Sequence, residues 1–321
     1  MTFIQKINPI NKEEEKEKFL FDPLYNPQFR YAEDINDQER ANYSHLDTKY
    51  LELAKKILEK GLKKYGSEEN LIKEIEGEIL SLEEVERKIS HYLQENHLEN
   101  VSISYSSSYV ARTSMNQDEI RLRLPLEYGE KTFQGVLDHE IGTHYFRRLN
   151  DRLRPWHKKR HKFQLRPYLE TEEGLAIIHQ YLDVEDPLLW RTAMYYYAVW
   201  LGNQMSFSEL NKELMKYIQT PERRWKMCLR VKRGIKDTFV TGALFRDQLY
   251  LLGVMKLIDW LERNEYDFKK LYIGKICVED IQKVEYVLTD SEVLLSKFLQ
   301  NMSQNEYRKK IERIKKCNFE K

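Results

Sequence analysis

Residues 137–144 read Leu137-Asp138-His139-Glu140-Ile141-Gly142-Thr143-His144, and the rest of the chain is best read outward from them. They form an HExxxH string inside 131–150, where Phe133, Val136, Leu137, Ile141, Tyr145 and Leu149 recur at helical spacing. Two neutral imidazoles can each offer a nitrogen to a zinc ion. A glutamate beside the first can take a proton from a water that the metal activates. In the HExxH form of this device the histidines are four apart, about 40° around the helix, and converge. Here they are five apart, about 500° of winding or some 140° of separation, so a regular α-helix would not bring them together. Either the string is an accident or the helix is locally wider. A π-bulge absorbs one residue and Gly142 tolerates the distortion, so a bulge or break is expected at 141–143.

On the N-terminal side the period changes. VSISYSS (101–107), SYVAR (108–112) and EIRLRLP (119–125) alternate apolar and polar residues and read as short strands, with SMNQD as the turn. Before them 48–97 is helical. Leu51, Leu53, Ala54, Ile57, Leu58 and Leu62 carry the first pattern, Gly66-Ser67 breaks it, and Ser81 with Glu84 forms a capping box for the last helix. Residues 21–47, with Pro23, Pro27, Phe21, Tyr25, Phe29 and Tyr31, suit an extended segment laid on the surface. Residues 1–20, ending in a run of lysines and glutamates, read as a mobile charged arm. C-terminal to the motif, helices are expected at about 172–182, 186–202, 206–217, 221–232, 246–264, 278–286 and 290–314. The order predicts a mostly helical α+β domain over 21–321, with a small antiparallel sheet before the histidine helix.

Composition narrows the function classes. The 321 residues are 41% hydrophobic and 12% aromatic, enough for a sizeable core. Lys+Arg 53 against Asp+Glu 52 leaves a net charge of +1, so no global field argues for nucleic acid. Cys228, Cys277 and Cys317 are widely spaced, without a CxxC pair, which excludes a disulfide framework and a cysteine-based zinc knuckle. The N-terminus lacks an apolar leader, and the longest apolar runs, such as 195–201, fall far short of the roughly 20 residues a bilayer requires. No membrane role and a cytoplasmic location are expected.

A third metal ligand is needed, and Thr171-Glu172-Glu173-Gly174-Leu175-Ala176 opens a helix downstream of His144. Acidic residues in a first turn are ordinarily caps. Glu172 shares a helical face with His179, and Glu173 shares one with Ile177 about 100° away, so spacing alone leaves both open. A Glu-Gly-apolar-Ala segment on a helix after a zinc helix resembles the third-ligand segment of gluzincin-type metallopeptidases. More specifically, DHEIGTHYFRRLND (138–151) with TEEGLA (171–176) resembles the microtubule-associated tyrosine carboxypeptidase family. Its bacterial relatives carry a QEGLA-type motif, here EEGLA. YNPQFRYA (25–32) and the stretch from Arg230 through GALFRDQLYLLG (242–253) also look like family text, so the resemblance covers most of the chain from about residue 21.

The resemblance implies a zincin-like catalytic domain. It implies a Zn²⁺ cofactor on His139, His144 and Glu173, with Glu140 as the catalytic glutamate. It also implies carboxypeptidase action, which in eukaryotic members removes the C-terminal tyrosine of α-tubulin. The QEGLA variant keeps only the second glutamate, which makes Glu172 a support or cap beside the metal ligands. The competing reading is a zinc-binding regulatory protein of the bacterial type, without turnover. Glu140 discriminates, since a retired site can dispense with its base and this one retains it.

Further candidates follow from what a carboxypeptidase must do. A bidentate arginine best holds a terminal carboxylate. Arg230, Arg233 and Arg246 are candidates, each also readable as a surface arginine. Tyr250 is a candidate donor to the oxyanion, or simply a packing residue. The stretch 147–166 carries nine Lys and Arg against one acid, Asp151. It reads either as a solvated face or as a surface that attracts an acidic polypeptide tail. SYVAR or EIRLRLP could offer an edge strand to an extended substrate, or both could be paired scaffold.

Overall fold

The computed structural model describes residues 3–33, 45–288 and 293–320. They fall into two compact units, Met1–Lys73 with Leu188–Leu251, and Glu74–Pro187 with Leu252–Lys321.

The first unit is helical. The helix Leu51–Tyr65 buries Ala54, Ile57 and Leu58, one stripe at three- and four-residue spacing, against the helix Trp190–Gln204. They approach closely because Gly61 has no side chain; a Cβ there would lie 2.3 Å from Trp190 Cδ1. The helices Phe207–Leu214 and Pro221–Lys232 complete the unit. Residues 12–21 correct the expectation of a mobile arm. Lys12–Phe21 is a helix whose Phe19 is buried among Phe207 and Trp225, beside Phe29. Glu15, also buried, accepts from the Gln28 amide at 2.7 Å and from the Tyr25 hydroxyl at 2.8 Å. Charge density concealed the one aromatic and one carboxylate that tie this helix down. The extended segment expected over 21–47 is described only to 33 and from 45; there Phe29 is buried and Gln28 bridges to Asp237.

The second unit contains the motif. Its helix Leu82–Glu95 starts at the Ser81–Glu84 capping box. The strands are β1 (Ser102–Ser106), β2 (Thr113–Asn116) and β3 (Glu119–Arg123), in the order β1-β3-β2. β3 pairs antiparallel with β2 across the turn Gln117-Asp118, but parallel with β1, so the sheet is mixed rather than antiparallel. SYVAR is not a strand: residues 107–112 carry the chain back so that β1 and β3 run the same way. β3 is central and cannot be an edge; the free edges belong to β1 and β2. Its alternation is as read, with Ile120 and Leu122 fully buried.

After the sheet come the helix Phe133–Leu137, a π-helix Asp138–Tyr145 and the helix Phe146–Arg152, then Leu169–Tyr181 packed against the π-helix. Near the C-terminus the expected long helix is two, Lys297–Gln300 and Gln304–Asn318, the latter capped by Ser303 and Glu306. The expected start of that helix, 290–292, lies outside the described residues. Among the described residues no helix is long and apolar enough to cross a membrane.

Candidate metal centre

The five-residue spacing is resolved by the backbone. A π-helix bonds residue i to i+5, which places residues five apart on one face. The widening runs through all of Asp138–Tyr145, not only 141–143. His139 Nε2 and His144 Nε2 face each other at 3.2 Å, with ring centroids 4.9 Å apart and planes at 73°.

The widened turn is held by side chains. Thr143 Oγ1 donates to the Asp138 carbonyl at 2.8 Å, and Tyr272 Oη donates to the Gly142 carbonyl at 2.7 Å. Thr143 Oγ1 also meets His179 Nδ1 at 2.8 Å, and His179 Nε2 meets Tyr307 Oη at 3.1 Å. Gly142 has a second reason to be glycine: a Cβ would sit 2.6 Å from both Phe298 Cε1 and Tyr92 Oη. Burial pushes Asp138 up to about 7 and His179 down to about 3.

The paired glutamates have different fates. Glu173 Oε2 lies 3.7 Å from His144 Nε2, and one ligand atom each from His139, His144 and Glu173 fall within 4.8 Å of one another. Four-coordinate zinc with bonds of about 2.0–2.2 Å requires ligand atoms about 3.3–3.6 Å apart, so the donor set fits such an ion. Glu172 turns to the opposite nitrogen. His144 Nδ1 meets its Oε1 at 2.9 Å, Lys275 Nζ donates to Oε1 at 2.6 Å, and Arg147 donates to Oε2 at 3.2 Å. A carboxylate there fixes which His144 nitrogen is left for a metal. Burial alone would raise Glu172, but Lys275, His144 and Arg147 hold it well below the usual carboxylate range. Burial would depress His144, but Glu172 and Glu173 outweigh it and raise the ring. His139, buried and facing His144, is held neutral.

Glycine in EEGLA serves a helix crossing. Gly174 meets Gly253 of the helix Leu249–Arg263 backbone to backbone, and a Cβ on Gly174 would lie 2.2 Å from the Gly253 carbonyl carbon. That approach sets the depth at which Glu173 enters the site. Glu140, next to His139, is half-buried, and the loss of solvent around it lifts its carboxyl to about 7.

Comparison with known proteins bears on this arrangement. The model of the family "Microtubule-associated tyrosine carboxypeptidase" matches residues 29–319. This chain belongs to that family. It is 32% identical over 320 residues to rat microtubule-associated tyrosine carboxypeptidase 1, covering 97% of this chain and 68% of the relative. The human protein of the same name is 32% identical, with 97% and 67% covered. Mouse MATCAP2 is 35% identical over 99% of this chain, which spans 62% of that relative's length.

The remaining residues read from the sequence fall in separate parts of the chain. Arg230, Arg233, Arg246 and Tyr250 lie in the first unit. Arg230 is held bidentate by buried Asp247, at 2.5 and 3.0 Å, and donates to Tyr250 Oη at 3.3 Å. Arg246 and Arg233 add their charge around the same aspartate. Two arginines of the basic stretch are consumed by folding. Arg147 is fully buried, donating to the carbonyls of Leu271 (2.9 Å) and Ile276 (2.7 Å), and Arg154 donates to Ile273 (2.7 Å). Arg152, Lys158, Lys159, His161, Lys162 and Arg166 remain exposed. Sequence reasoning missed Lys275, Arg147, Thr143, Tyr272 and His179 as supports. Only Thr143, inside the motif, and His179, on the face of Glu172, carried a signal.

Proposed function

We propose that this family member is a zinc-dependent metallocarboxypeptidase that removes a C-terminal residue, tyrosine being the first candidate, from a polypeptide tail. The observation that supports this most is the convergence of His139 Nε2, His144 Nε2 and Glu173 Oε2 with half-buried Glu140 alongside. The names of the rat and human relatives support the carboxypeptidase reading. His139, His144 and Glu173 would hold a zinc ion, which would supply Lewis acidity at the scissile carbonyl and acidify a water.

The remaining work falls to the chain. His144 presents Nε2 because Glu172 holds Nδ1. Glu140, with its carboxyl near neutrality, takes the proton of the attacking water and returns it to the leaving amine. The free edge of β2, which packs beside the π-helix, offers backbone groups to an extended tail. The exposed cations of 158–166 favour an acidic tail, and a cytoplasmic location suits such a substrate. A zincin-like arrangement is part of the same proposal.

The test is mass spectrometry of peptides with different C-termini after incubation with zinc-loaded protein. Loss of one terminal residue by wild type, abolished in Glu140→Gln with zinc content unchanged, is the expected result. Internal cleavage would replace the carboxypeptidase by an endopeptidase. Tight zinc with no cleavage would favour the regulatory reading.

A further inference from the structure

A carboxypeptidase must hold the substrate's terminal carboxylate one residue beyond the scissile carbonyl, within about 3.8 Å plus a hydrogen bond. The cation that does this belongs close to the catalytic helix. Arg230, read from the sequence for this role, is committed to Asp247. The second unit carries its own arginines, and most are spoken for. Arg147 is bound to Glu172 and two carbonyls, Arg152 to Asp118, and Arg154 to Ile273. Arg112 donates to the Glu127 carbonyl and stacks over Tyr128.

Arg148 differs. It lies four residues after His144, on the same helical face and about 6 Å further along the axis. Its guanidinium rests over the Tyr145 ring at 5.4 Å and makes no hydrogen bond or ion pair among the described residues. Its Nε is buried without a partner. Buried charged groups are ordinarily paired, so an orphan guanidinium N–H is an observation that needs a cause. Asp118, whose field reaches Arg148, is occupied by Tyr145 Oη at 2.8 Å and Arg152 at 3.1 Å. Stacking on Tyr145 holds the planar fork in place while leaving its edge for a bidentate acceptor.

We infer that Arg148 is the residue that binds the α-carboxylate of the polypeptide substrate, one turn beyond His144, and so makes the site an exopeptidase. This rests on the peptidase reading above and specifies its substrate as a chain end with a free carboxylate. Amidated chains leave the Arg148 guanidinium without its anion and are poor ligands.

The probe is the peptide Gly-Gly-Glu-Glu-Tyr as the free acid and as the C-terminal amide. Binding is measured by calorimetry to zinc-loaded Glu140→Gln, with and without Arg148→Met, and hydrolysis with the wild-type and Arg148→Met proteins. Arg148→Met should weaken free-acid binding about 10- to 100-fold, the loss expected for a bidentate charge-assisted contact. The amide should be unaffected and the zinc content unchanged, and Arg148→Lys should recover part of the loss. Equal losses for acid and amide, or no loss for either, would overturn the assignment, as would loss of acid preference in Arg233→Met or Arg246→Met but not in Arg148→Met. If wild type discriminates acid from amide through Arg148 yet hydrolyses neither, the carboxylate site stands and the hydrolase reading falls.

Discussion

His179 gives a quantitative handle on the support beneath the motif. Its ring is buried, its Nδ1 meets Thr143, its Nε2 meets Tyr307, and burial with the nearby Arg147 charge depresses its pKa from 6.5 to about 3. As pH falls below 6.5 the unfolded chain binds a proton that the folded protein refuses until about pH 3. The neutral ring's contribution is therefore complete above about pH 6.5 and is lost in acid. The ceiling, at about 1.4 kcal/mol per pKa unit, is about 5 kcal/mol. Between pH 7 and pH 5 the loss is about 2 kcal/mol. Asp138 and Glu140, both lifted to about 7 by burial, act in the opposite sense over the same window. A bare stability profile would thus mix the terms, and the difference between wild type and His179→Gln isolates one. Guanidinium unfolding of metal-free protein in chelator, at several pH values from 5 to 7.5, should show the cost of His179→Gln shrinking by about 2 kcal/mol at pH 5. A difference that stays constant within about 0.5 kcal/mol across that range would refute the linkage argument.

Three other outcomes follow from single contacts. Gly174→Ala drives a methyl into the Gly253 backbone and should cost about 1–3 kcal/mol or more, seen as an earlier unfolding midpoint; an unchanged midpoint would contradict the crossing. Lys275→Met removes the cation at 2.6 Å from Glu172, and zinc affinity by chelator competition should fall about 10- to 100-fold, with Lys275→Arg recovering most of it. Affinity that does not move would remove Glu172 from the support of His144. Reversing Lys158, Lys159 and Lys162 to Glu should weaken capture of an acidic-tailed peptide at low salt but not at 0.5 M, read by fluorescence anisotropy, because exposed charges are screened over about 8–10 Å at physiological salt. Equal capture at low salt would make that surface an ordinary solvated face.

Much of the candidate site's geometry was legible because a shared metal would need particular residues at particular spacings. HExxxH demanded a widened helix, and the π-helix Asp138–Tyr145 supplies it. The choice between Glu172 and Glu173 was not legible from periodicity, since a 100° difference says nothing of which nitrogen of His144 each carboxylate meets. Helices with one apolar stripe, such as Leu51–Tyr65, were readable; Lys12–Phe21 was not, because a single buried Phe19 makes no stripe. The parallel pairing of β1 with β3 escaped notice because turn residues mark where a chain bends, not which strand it next lies beside. Arg147 and Arg154 misled for a related reason. Charge in a sequence reads as exposure, yet carbonyls exposed by loops at Leu271, Ile273 and Ile276 give guanidinium groups an interior to fill.

The π-helix and its clasp also bear on how the proposed centre would tolerate loss of an ion. Thr143, His179 and Tyr272 fasten the widened backbone through hydrogen bonds that involve none of His139, His144 and Glu173. The bite between the imidazoles is thus a property of the polypeptide, set before any ion arrives. If zinc binds as proposed, such a centre should behave as a rigid chelator, unlike small zinc domains in which metal binding and folding are one event. Stripping the metal should leave a native fold that reloads without refolding. A lineage could then replace Glu140, or lose metal binding, while keeping the architecture intact, and both an enzyme and a silent relative could share one scaffold.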